Sequence, residues 1–156
     1  MTLPRPHPRP ARRRAHAAGF SLPELAFSLT IVGILSSIAY PAFSSTLASV
    51  RRSDALVALM NLQTQQERYR ANHDAYGDLA QLGVASVSPS GHYELTLEAA
   101  SSTGYSVRAT ATGAQRNDSA CRHLRLTVEG LNLTYASGET DATANAGALN
   151  RRCWGQ

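Results

Sequence analysis

Few residues in this 156-residue chain have the type and setting to do chemistry: one acid inside an apolar run, Glu24, two cysteines, a few histidines, and arginines in excess. An ionised carboxylate among lipid tails is costly unless a cation meets it, so Glu24 implies neutralisation by a partner charge. His73, His92 and His123 are scattered, and two cysteines without a histidine pair do not make a zinc site; His123 alone is a poor ligand. There is no G-x-S-x-G, H-E-x-x-H, C-x-x-C or glycine-rich strand-to-helix turn. No catalytic residue, metal or cofactor is therefore expected. All 15 basic residues are arginine, which excludes a Walker-type phosphate loop and a lysine Schiff base.

The charge is unevenly placed. Arg5, Arg9, Arg12, Arg13 and Arg14 precede every acid, which leaves ten arginines against all 11 acids in the rest, a nearly neutral remainder. Residues 1–19 also carry prolines at positions 4, 6, 8 and 10 and no apolar run, so they read as a leader and not as a packed element. From Phe20 to Tyr40 the composition inverts to 21 residues with one charged side chain, Glu24. As a helix rising ~1.5 Å per residue this run crosses a ~30 Å hydrocarbon layer. The arginine flank should stay in the cytoplasm, with the bulk of the chain outside. Small residues Ala17, Ala18 and Gly19 stand before the run. A cut after Gly19 would remove only the leader and create an amine on Phe20, one helical turn from Glu24.

The segment Gly19-Phe20-Ser21-Leu22-Pro23-Glu24-Leu25, with Gly33 and Tyr40-Pro41 further on, resembles the N-terminal signature of type IV pilins and their pseudopilin relatives. The resemblance implies that a prepilin peptidase cuts between Gly19 and Phe20 and methylates Phe20, and that Glu24 pairs with the N-terminal amine of a neighbouring subunit during assembly. Pro23 stands where the family more often has an aliphatic residue, but the first helical turn tolerates proline. Ser21 replaces the usual threonine.

Beyond Pro41 the chain has few helix breakers until Tyr76, and Phe43, Leu47, Val50, Leu56, Val57, Leu59 and Met60 keep largely helical spacing. A helix of about fifty residues is expected, residues 20–47 serving as membrane span and filament core and the rest lying on a globular domain of residues 48–156. Leu56, Leu59 and Met60 are assigned to the domain core. Arg51, Arg52 and Asp54 are assigned to a solvated face. Gly33 lowers helix propensity and Pro41 removes a donor, so the interval between them is the expected place to kink; the resemblance implies that it melts as subunits leave the bilayer.

Alternating residues predict strands over His92–Ala99 and Tyr105–Ala111, at Leu124, Leu126 and Val128, and over Leu131–Tyr135 after a Glu129-Gly130 turn. Four short strands need a cover for one face, so the fold class is α+β, an antiparallel sheet packed on the long helix. Outside the membrane Cys121 and Cys153, with 31 residues between them, are expected to form a disulfide. Closing that loop contributes roughly 3–4 kcal/mol. Gly113-Ala114-Gln115, Cys121 to Val128 and Arg152-Cys153-Trp154 resemble minor pilins of the PilE type, with Trp154 packing over the bridge.

The function implied is that of a minor type IV pilin, incorporated into a pilus or priming it, in support of twitching motility, adhesion or DNA uptake. Its implied partners are other pilin subunits through the N-terminal helix, the prepilin peptidase, the inner-membrane assembly platform and membrane lipid before assembly. The implied location is the bacterial inner membrane and the extracellular pilus. One alternative is a DNA-binding uptake receptor, in which Arg116, Arg122, Arg125, Arg151 and Arg152 meet phosphates, although no aromatic interleaving supports stacking. Another is a type II secretion pseudopilin, which the bridged C-terminal loop disfavours.

Overall fold

The computed structural model describes residues 20–155. Gly19 and the basic leader lie outside the described residues. Two compact units divide the chain, one ending at Ala39 and the other beginning at Tyr40. Helix α1 covers Leu22–Arg70, 49 residues with Pro41 inside. The expected kink between Gly33 and Pro41 leaves no break in the helical assignment.

In the first unit every residue from Phe20 to Ala39 is exposed. Phe27, Leu29, Ile34, Leu35 and Ile38 all face outward from a helix whose best window has a mean hydropathy of 1.7. Hydroxyls along it close on the helix itself: Ser28 Oγ donates to Glu24 O at 2.8 Å and Thr30 Oγ1 to Ala26 O at 2.9 Å. Such back-bonding removes the polar cost of these side chains in an apolar medium.

The second unit is a four-stranded antiparallel meander in the order β1-β2-β3-β4, with β1 Tyr93–Ala100, β2 Gly104–Ala111, β3 His123–Glu129 and β4 Asn132–Gly138. Register places Tyr105 opposite Val128, Val107 opposite Leu126 and Ala109 opposite Leu124, so one sheet face is apolar. These side chains form one core with Ala55, Ala58, Leu59 and Leu62 of α1. The alanines let helix and sheet approach closely, and each fully buried leucine contributes about 1.5–3 kcal/mol. Gly104 is required where it stands: a Cβ would lie 2.1 Å from Val128 O. Gly130, at φ +59°, makes the β3–β4 turn.

Three expectations need correction. Met60 is 63% exposed and Leu56 only partly buried, because the buried stripe of α1 runs through Arg52, Ala55, Ala58, Leu59, Leu62 and Gln66. The alternation of β1 stops after Leu97, where a bulge shifts the register before Ala99. Leu131 belongs to the turn, fully exposed, and β4 instead continues to Gly138. One element escaped the sequence reading: helix α2, Gly147–Trp154, closed by Gly155 in the left-handed conformation. Cys153 and Trp154 are its buried residues, and the Trp154 ring meets Tyr135 at 4.8 Å.

Candidate functional site

Glu24 lies in the first turn of α1, and Phe20, just before the helix, is 84% exposed. An acid there complements the unsatisfied N–H groups of a helix start. Among the described residues this run is exposed along its whole length, and so large an apolar surface marks a contact with lipid or with another chain. Pro41 leaves the Ser37 carbonyl without its helical donor.

The other chemistry gathers where α1 meets the segment between β2 and β3. Arg52, assigned to a solvated face from sequence, is buried and grips Asp118 with two bonds, Nε–Oδ2 at 2.5 Å and Nη2–Oδ1 at 2.9 Å. Its Nη1 donates to Arg152 O at 2.7 Å, which joins α1 to α2. Two 3-10 turns, Gly113–Asn117 and Ser119–Cys121, bring Gln115 and Asp118 to this place. Gln115 Nε2 lies 3.1 Å from Ala48 O and from the Tyr93 hydroxyl. Burial pushes the Tyr93 phenol up to about 12, so at neutral pH its O–H stays protonated and donates to Cys121 O at 3.4 Å. Cys121 and Cys153 are bonded, with Cα atoms 5.4 Å apart.

Asp54, also assigned to solvent, instead holds the approach to β1. Ser88 Oγ and the N–H groups of Ser90 and His92 donate to its carboxylate at 2.5, 2.9 and 3.2 Å. Burial pushes this carboxyl up, but those hydrogen bonds outweigh it and keep it below the ordinary carboxylate range. Gln66 clamps the start of the same connection through a reciprocal pair with Gly77, at 2.8 and 3.0 Å.

The five arginines considered for nucleic acid divide. Arg125 is engaged with Glu98 at 2.8 Å, beside Arg108, which bridges Glu98 and Asp141 at 3.2 and 3.0 Å. Arg122 lies 3.9 Å from Glu139 and donates to Arg116 O. Arg116, Arg151 and Arg152 make no ion pair among the described residues. His123 is buried beside Asp141, 3.6 Å away, and no group of three metal-ligating side chains occurs among the described residues.

A long N-terminal helix with an outward apolar half, set on an antiparallel meander and a disulfide-closed C-terminal segment, is the architecture of a type IV pilin. The chain belongs to the family described as "Type IV minor pilin ComP, DNA uptake sequence receptor", whose model matches residues 41–125. It is also similar to the type IV major pilin protein PilA of Myxococcus xanthus (strain DK1622), 38% identical over 68 residues, 43% of this chain. That match spans 31% of the relative's length.

Proposed function

We propose that this type IV pilin is a minor subunit: a prepilin peptidase cuts after Gly19 and methylates Phe20, and residues 20–47 hold it in the inner membrane until it enters or primes a pilus. In this reading the chain's N-terminus begins in the cytoplasm and residues 48–156 fold outside. The observation that carries it is the wholly exposed apolar half of α1 with Glu24 as its one charge. In the bilayer or the fibre, the amine of a neighbouring Phe20 neutralises that acid. Gly33 and Pro41 allow the helix to unwind locally as the environment changes from lipid to packed helices. The role is structural, and it supports twitching, adhesion or DNA uptake.

Mass spectrometry of protein recovered from cells tests the processing: the expected N-terminus is methylated Phe20, and an intact leader refutes it. Incorporation of Glu24→Gln into sheared pili tests the pairing, with severe loss expected and wild-type incorporation refuting it.

A second reading is favoured by one observation, the match of residues 41–125 to a family described as a DNA uptake sequence receptor. Arg116, Arg151 and Arg152 are then the arginines best placed to meet phosphates, since Arg122 and Arg125 already face acids. Binding of the mature chain to duplex DNA over a salt series decides this. Affinity that falls steeply with salt supports the reading, and no affinity at low salt removes it.

A further inference from the structure

Beside the Arg52–Asp118 pair opens a cavity of about 430 Å³. Its helical wall runs from Tyr40 to Arg52, and Gln115, Asn117 and Arg152 close the other side. Two of its arginines, Arg51 and Arg152, have side chains with no acid or hydrogen-bond acceptor among the described residues, while Asp118, the only acid lining it, is taken by Arg52. The cavity therefore carries two uncompensated positive charges.

We infer that this cavity seats the headgroup of an anionic glycerophospholipid, its phosphodiester between Arg51 and Arg152. A bidentate guanidinium is suited to a phosphate oxygen pair. Two guanidinium groups without an acid favour an anionic headgroup, such as phosphatidylglycerol, over the zwitterionic phosphatidylcholine. The inference rests on the reading that residues 20–47 lie in a bilayer before assembly: as a helix they extend about 42 Å, the full thickness of a bilayer with its headgroups. The cavity's helical wall is the stretch where that run ends.

The test uses the full-length mature chain. Flotation with phosphatidylcholine vesicles first checks the anchor, and failure to float overturns the membrane reading itself. Native mass spectrometry after extraction from mixed vesicles should find one phosphatidylglycerol retained in preference to phosphatidylcholine. In R51Q/R152Q retention should fall roughly tenfold or more, the effect of two arginines at a membrane surface. R51K/R152K should retain most of it, and Arg68→Gln, in the last turn of α1, all of it. Neither Arg51 nor Arg152 has a side-chain partner to lose, so a folded double variant is expected, checked by its circular dichroism. Equal retention by R51Q/R152Q, or no preference over phosphatidylcholine, overturns the assignment. So does displacement of the lipid by inorganic phosphate at matched ionic strength, which marks a free-anion site, or by a short DNA duplex, which marks a nucleic-acid site.

Discussion

Arg52 and Asp118, 66 residues apart, form a two-bond ion pair whose side chains are only 10% and 4% exposed, and through it α1 is tied to the turn that precedes the disulfide. Removing one member of such a pair leaves the other buried and uncompensated. Arg52→Met and Asp118→Asn should therefore each destabilise the fold by about 3–5 kcal/mol, read from urea midpoints. The double replacement should cost less than the sum, because neither charge then remains stranded. Additive losses would show that the two residues act separately.

The disulfide acts on the same corner. Cys121→Ser with Cys153→Ser should lower stability by about 2–5 kcal/mol. The loss should be local first: amides of Gly147–Trp154 should exchange much faster, since α2 is a two-turn helix whose buried residues are Cys153 and Trp154. Unchanged exchange there would mean that Trp154 against Tyr135 holds α2 unaided.

Why some of this was legible in sequence, and some was not, follows from the range of the forces involved. The strands announce themselves through alternation, as in Tyr105, Val107, Ala109 and Ala111, because a sheet buried on one face must repeat every second residue. The apolar N-terminal run and the cysteine pair are equally local signals. Arg52 and Asp54 misled because a charge on a helix reads as solvent-facing unless its distant partner is known, and Asp118 and Ser88 lie 66 and 34 residues away. Met60 misled because helical spacing alone does not say which of two adjacent apolar positions faces the sheet. Helix α2 has weak intrinsic propensity and depends on tertiary anchors; Arg151 and Arg152 in its last turn and Gly155 after it were the signals available. For the arginines, composition supplied the positive charges, and only the fold showed that Glu98 and Glu139 already face two of them.

Gly104 offers a sharper test of the sheet. A methyl group there would collide with the Val128 carbonyl at 2.1 Å, and backbone on a paired strand has little room to give. Gly104→Ala should cost about 1–3 kcal/mol by thermal denaturation, with Gly130→Ala costing less, since nothing lies within 4 Å of its added Cβ and only its positive φ objects. Equal or reversed costs would mean that β2 and β3 separate at this end without penalty.

His123 should make stability fall on mild acidification. Burial pushes its imidazole down from 6.5, Asp141 pulls it up, and Arg108, Arg122 and Arg125 push it down again, for a net lowering. The unfolded chain therefore takes up this proton before the folded one does. The resulting contribution is fully present above 6.5 and is lost as pH falls through the lowered folded value. Asp54, with its carboxyl held below 3.8, loses its own contribution only at far more acidic pH, so the two effects separate on the pH axis. Thermal midpoints of the wild type should decline just below neutrality, while His123→Gln should flatten that decline and leave the acid limb in place. A parallel decline in both proteins would assign the sensitivity to another group, and a rise on acidification would show that Asp141 outweighs burial and the three arginines.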